Sequence, residues 1–159
     1  MAYFVTGATG FIGRRLVERL LDKRQGKVYV LVRESSLERL DDLIEHWSAA
    51  AGASAAKRIE PVIGDLRRPL LGVEQERVTE LRGKIVHFFH LAAVYDMTAP
   101  SELNTAVNVG GTAHAVELAR ALEAEHLHHV SSIAARLSAS MVRCGKRASP
   151  CASASARSR

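Results

Sequence analysis

The feature that most restricts how this 159-residue chain can fold is Thr6-Gly7-Ala8-Thr9-Gly10-Phe11-Ile12-Gly13, set between an apolar run and an amphipathic one. Ala2 to Thr6 is short, aromatic and β-branched, which predicts a buried strand. From Phe11 to Lys23, Ile12, Leu16 and Leu20 recur at i, i+4 and i+8 with Val17 and Leu21 beside them. Arg14, Arg15, Glu18, Arg19 and Asp22 are left for solvent, so the stretch reads as a helix with one apolar stripe. In a strand–loop–helix unit of this kind Gly7 permits a tight exit from the strand. Gly10 lets backbone approach a diphosphate, and Gly13 lets the helix pack closely on the strand. The helix start then offers free N–H groups and positive dipole character to phosphate oxygens. Three glycines alone also describe an ordinary turn. Their strand–loop–helix context is what points to a dinucleotide.

The rest of the chain repeats the alternation. Lys27 to Val32 is a second strand, apolar at nearly every position as a parallel strand covered on both faces would be. Ser35 and Ser36 are placed to cap a helix running through Ala50, with Leu37, Leu40, Leu43, Ile44 and Trp47 on one side. Ile59 to Ile63 is a third strand closed by Gly64-Asp65, and Glu74 to Leu81 a short helix. Ile85 to Phe89 is a fourth strand, Leu103 to Ala124 a long helix, and Leu127 to Ser131 a fifth strand. Strands alternating with helices predict βαβ units with right-handed crossovers, hence an α/β fold with a doubly wound parallel sheet.

Charge is distributed unevenly. The chain carries a net +5, but Met1 to Ile133 holds 16 basic and 17 acidic residues. Ala134 to Arg159 holds six basic residues, no acidic ones, seven Ala, six Ser and both cysteines, Cys144 and Cys151. The basicity thus belongs to a biased tail, and it implies no nucleic-acid partner for the nearly neutral body. The tail reads as disordered, since it has no periodicity that could build a core. Two cysteines make no disulfide framework, no apolar run approaches the ~20 residues of a membrane span, and no secretory signal follows Met1, so a cytoplasmic protein is expected.

TGATGFIG, Gly64-Asp65-Leu66, Leu91-Ala92-Ala93, Asn108-Val109-Gly110-Gly111-Thr112 and Val130-Ser131-Ser132 stand in an order that resembles the extended short-chain dehydrogenase/reductase family over residues 1–133. FVTGATGFIGRRLVERLL, the LVR ending of strand two and HVSSIA look most like its fatty acyl-CoA reductase and thioester-reductase branch. The resemblance implies a Rossmann sheet in the order 3-2-1-4-5, continued in the family by a sixth strand. Without that strand, Leu127 to Ser131 would be an exposed apolar edge. It also implies that Gly7, Thr9, Gly10, Phe11, Ile12, Gly13 and Arg14 surround the cofactor phosphates, and that Leu91, Ala92 and Ala93 let the cofactor pass close to backbone. Asp65 would accept from the adenine amino group with Leu66 on the ring, although Gly-Asp after a strand also reads as an Asx turn. Asn108 would brace the region between strands four and five; the plain alternative is a polar helix residue. At the end of strand two, NAD-preferring members carry a carboxylate. Val32-Arg33 offers a guanidinium instead, which predicts NADP(H), with NAD(H) second because Glu34 follows.

The family moves hydride between nicotinamide and a carbonyl or alcohol carbon, using a Tyr-x-x-x-Lys pair and an oxygen-orienting Ser or Thr. Ser132 stands at the matching position, although a hydroxyl ending a strand is also the simplest structural device. The pair itself is missing: four residues after Tyr3, Tyr29 and Tyr95 stand Gly7, Arg33 and Ala99. The expectation is therefore an N-terminal part of a longer acyl-CoA or acyl-thioester reductase, catalytically incomplete by itself. Its Ala-Ser-Arg tail is what GC-rich codons give in a shifted frame. The alternatives are a nucleotide-sugar epimerase or dehydratase, and a non-catalytic dinucleotide-binding module. His126, His128 and His129 suggest a metal by count, but neighbours in a strand face opposite ways, so no metal site is expected. His90 reads as packed or hydrogen-bonded at its turn, and Lys57-Arg58 and Arg67-Arg68 as solvated loop charges.

Overall fold

The computed structural model describes residues 1–52, 54, 57–93 and 101–131. Five parallel strands form one sheet in the order β3-β2-β1-β4-β5: β1 Ala2–Thr6, β2 Lys27–Val32, β3 Ile59–Ile63, β4 Ile85–His90 and β5 His126–His129. The connections carry α1 Phe11–Lys23, α2 Leu37–Ala51, α3 Gln75–Leu81 and α4 Ser101–Ala121. This is the doubly wound α/β sheet that the pattern predicts.

Side-chain alternation along the central strands builds a core on each face. Tyr3 and Val5 of β1 and Val28, Val30 and Val32 of β2 pack with Val17, Leu20 and Leu21 of α1 and Leu40, Leu43 and Trp47 of α2. Phe4, Tyr29, Leu31 and Phe88 look the other way, onto Val78 and Leu81 of α3 and Ala115, Leu118 and Ala119 of α4. Phe4 and Phe88 stack at 4.8 Å between centroids. Pro61 is tolerated because β3 is an edge strand. On the opposite edge every residue of β5 is exposed. Among the described residues no helix is long and apolar enough to cross a membrane.

Four local details differ from the sequence pattern. The fifth strand is His126–His129, not Leu127 to Ser131, because its ladder to β4 runs from His87↔His126 to His90↔His129. The long helix stops at Ala121 rather than Ala124. The Ala124 N–H donates to the Ala119 carbonyl at 2.9 Å and that of Glu123 to Arg120 at 3.0 Å, with Glu123 at φ 54°. That is a Schellman ending with glutamate where glycine is usual, so no glycine announces it. Neither Ser35 nor Ser36 caps α2 through its side chain. Glu34–Ser36 instead forms a 3-10 turn closed by Ser36 N–H on the Arg33 carbonyl at 2.8 Å. Arg58 is no solvated loop charge: its guanidinium donates to the carbonyls of Leu21 at 2.5 Å and Arg24 at 2.7 Å, closing the C-terminal end of α1.

Candidate functional site

At the exit of β1 the chain turns on Gly7, at φ +75°, where an L side chain would be strained. A β-carbon there would also lie 2.7 Å from the Ala92 nitrogen, so the loop is seated directly on the backbone that follows β4. The Gly10 N–H donates to the Gly7 carbonyl at 3.0 Å, and Gly10 is the N-cap of α1. A β-carbon on Gly13 would fall 2.1 Å from the Gly7 oxygen and 2.7 Å from Ala8 Cα, so only glycine lets the first turn of α1 lie against the loop. Gly10 differs. Its β-carbon would meet only the Gly7 oxygen, at 3.2 Å, leaving the side above the loop as the one that gains from a missing side chain.

No side chain caps α1, and its first turn holds no acidic residue. The Arg14 N–H reaches the Gly10 carbonyl, but the amides of Phe11, Ile12 and Gly13 lie at helix positions with no intrahelical acceptor. Phe11 and Ile12 are 85% and 55% exposed. The Arg14 side chain leans back, its Nε donating to the Thr9 carbonyl at 3.0 Å, and sets a cation beside those amides. An uncapped, positively biased helix start of this shape accommodates an anion.

The wall beside the loop is held by a buried pair that the sequence pattern does not connect. Ala92 N–H donates to Thr6 Oγ1 at 3.2 Å, and the same hydroxyl stands 2.8 Å from His90 Nδ1. A hydroxyl carries one donor and two acceptor sites, so Thr6 Oγ1 serves Ala92 and the His90 ring at once, the imidazole tautomer deciding which way the second bond runs. Thr6 and His90 are both buried, and burial with the nearby His129 pushes the His90 imidazole down to about 4. His90 thus does hydrogen-bond at the end of β4, and its partner is 84 residues away.

Where β2 and β3 end, a cavity of about 610 Å³ is lined by Arg33, Glu34, Gly64, Asp65, Arg67 and Arg68 among others. Gly64 N–H donates to the Val32 carbonyl at 2.9 Å, which brings Arg33 and Asp65 to one opening although 32 positions separate them. Asp65 makes the Asx turn: Oδ1 accepts from Arg67 N–H at 2.9 Å. Arg67 also grips the carboxylate with Nε and Nη2, the latter at 2.6 Å, so this loop charge is solvated, as expected, but also ion-paired. The Arg67 guanidinium holds the Asp65 carboxyl down to about 2. Neither the Arg33 nor the Arg68 guanidinium donates a hydrogen bond to another described residue.

Leu66, next in line, is braced from α4. His114 Nδ1–H donates to its carbonyl at 2.9 Å, and Gly111 leaves room for it, since a β-carbon there would lie 3.3 Å from Leu66 Cβ. Asn108 sits half-buried on the same helix, its carbonyl accepting the Thr112 hydroxyl at 2.8 Å. Leu91 and Ala92 follow β4 against the loop, with Ala93 next, exposed. Ser132 and Tyr95 lie outside the described residues. His126 and His128 share a face with His87, whereas His129 stacks on His90 on the other. No group of three or more His, Cys, Asp or Glu among the described residues is placed to hold a metal.

The NAD_binding_4 family model, described as male sterility protein, matches residues 5–152, a span that continues past Ala134. The chain is 36% identical over 139 residues to a component of the linear gramicidin synthase of Brevibacillus parabrevis, covering 83% of this chain and 3% of that protein. It is 33% identical to the putative fatty acyl-CoA reductase CG8303 of Drosophila melanogaster, covering 76% of this chain and 23% of that one. Among solved structures, the terminal R domain of the myxalamid PKS-NRPS pathway superposes with a TM-score of 0.71 at 32% identity, over 83% of this chain and 34% of that chain. The reductase domain of a non-ribosomal peptide synthetase from Mycobacterium tuberculosis gives 0.68 at 29%, over 83% and 33%. The chain therefore spans about a third of those domains and less of the curated relatives.

Proposed function

The chain belongs to the male sterility protein family of NAD-binding domains, and on that premise we propose that it is the NADPH-binding part of a reductase acting on acyl thioesters. Its Rossmann sheet and glycine loop are those of reductases related to fatty acyl-CoA reductases and peptide-synthetase R domains, within the extended short-chain dehydrogenases/reductases. The observation that carries the reading is the uncapped first turn of α1, held against the loop by a contact only glycine permits. The amides of Phe11, Ile12 and Gly13, with Arg14 beside them, hold the diphosphate; Asp65 and Leu66 take the adenine. Arg33, whose guanidinium donates no hydrogen bond to another described residue, stands at the opening shared with Asp65 and takes the 2′-phosphate. Asn108 braces the region between β4 and β5.

Bound NADPH would supply hydride to a thioester carbonyl carbon. Ser132 is this chain's contribution to orienting the carbonyl oxygen, and residues 1–133 make up the dinucleotide-binding part. NAD(H) is the second reading, favoured by Glu34, which lines the same opening as Arg33.

Calorimetric titration with both cofactors tests the proposal. NADPH binds more tightly than NADH, and Arg33→Ala weakens NADPH about 10- to 100-fold, the worth of a hydrogen bond to a charged group, while leaving NADH alone. Tighter binding of NADH, insensitive to Arg33→Ala, refutes the cofactor choice.

A further inference from the structure

Arg67 and Asp65 form a closed unit inside the opening that faces Arg33. Three contacts from one guanidinium and one from the backbone occupy both carboxylate oxygens. The pair is not buried: the Asp65 side chain is 23% exposed and that of Arg67 68%. An exposed ion pair of this kind adds little to folding. Its placement is what matters. Val32 pairs with Ile63 across neighbouring strands, and Arg33 comes one residue after the first and Asp65 two after the second, so the two stand within roughly 10 Å of each other. An anion seated on Arg33 is then within about one Debye length of the Asp65 carboxylate, which stays ionised throughout the neutral range.

We propose that Arg67 sets the cofactor preference of this site by neutralising Asp65, without touching the phosphate itself. The inference rests on the reading that the 2′-phosphate of NADPH enters this opening. The opening carries Arg33, Arg67 and Arg68 against Glu34 and Asp65. With Arg67 in place, Asp65 offers a carboxylate oxygen to the adenine, which both cofactors share, and shows little charge to the 2′-phosphate, which only one has. Without Arg67 the carboxylate keeps its orientation, because the backbone N–H of residue 67 still holds Oδ1. Its charge is then offset by Arg33 alone, the cation that the 2′-phosphate itself engages. A unit charge no longer paired with Arg67, facing a doubly charged phosphate at that distance in water, weakens binding by up to about fourfold, and the 2′-hydroxyl of NADH feels no such repulsion.

The test is the ratio of NADH to NADPH dissociation constants, measured by calorimetry on the full chain at low and physiological salt. Arg67→Ala is expected to lower the ratio by up to about fourfold at low salt, through NADPH alone, and Arg67→Ala combined with Asp65→Asn to restore it. Arg67 is exposed, so these variants fold, and a circular-dichroism melt verifies it. An unchanged ratio in Arg67→Ala overturns the proposal. So does a double variant as impaired as the single one, since the guanidinium would then be contacting the phosphate directly. Failure of the underlying reading looks different: the unmodified chain itself would show no preference for NADPH, or no response to Arg33→Ala.

Discussion

Two glycines on helices should respond to the same substitution with opposite signs. In Gly13→Ala the new methyl would lie 2.1 Å from the Gly7 oxygen, 2.7 Å from Ala8 Cα and 2.8 Å from the Gly7 carbonyl carbon, all backbone of the phosphate loop. None of these can rotate away, so α1 or the loop has to move by about 1 Å, an overpacking cost near the upper end of ~1–3 kcal/mol. Alanine returns ~1 kcal/mol in helix propensity, for a net loss of about 2 kcal/mol. Gly110 on α4 has nothing within 4 Å of its β-carbon position, so Gly110→Ala gains ~0.5–1 kcal/mol. Urea unfolding followed by the single tryptophan, Trp47, reads both, because that residue is 1% exposed on α2. With a slope of ~1–3 kcal/mol per molar urea, the Gly13 variant unfolds about 1 M earlier and the Gly110 variant slightly later. Displacing the loop also abolishes NADPH binding in the first variant and spares it in the second. Equal midpoints for the two, with cofactor affinity intact in both, would refute the packing argument.

Other expectations follow from the same geometry. His90 is held neutral, so unfolded chains take up its proton first as pH falls below 6.5. Its contribution is full above that value and disappears toward 4, about 2 kcal/mol being gone by pH 5. Urea midpoints at pH 7 and pH 5 check this, His90→Asn being expected to lack that part of the acid sensitivity. Leu118 is fully buried between α4 and the sheet, and Leu118→Ala should cost ~2–5 kcal/mol by the same assay. Phe11 is 85% exposed, so Phe11→Ala should leave stability within ~0.5 kcal/mol and any loss should show in cofactor affinity alone.

Most of the architecture was legible in the chain because each central strand is a β-branched or aromatic run and each helix carries one apolar stripe. β2 and β3 begin and end where their patterns do, and the glycines at 7, 10 and 13 announce the loop. What the pattern hides depends on partners distant in sequence or on backbone geometry without a residue signature. Glu123 ends α4 in a left-handed conformation that normally advertises itself through glycine. Arg58 looks like a surface charge until the end of α1 arrives beside it. Thr6 and His90 are ordinary strand residues until the parallel register of β1 and β4 sets them opposite each other. Arg67 hides in a basic doublet, and only the Asx turn at Asp65 folds it back onto the carboxylate.

The central claim is that the amides opening α1 hold a diphosphate. Titrating NADPH into the 15N-labelled chain and following the amide resonances tests it most directly. Saturable shifts largest at Gly10, Phe11, Ile12 and Gly13, with smaller ones at Arg33 and Asp65, are the result expected. A folded chain whose resonances at those four positions stay fixed at saturating NADPH, and likewise with NADH, would contradict the claim.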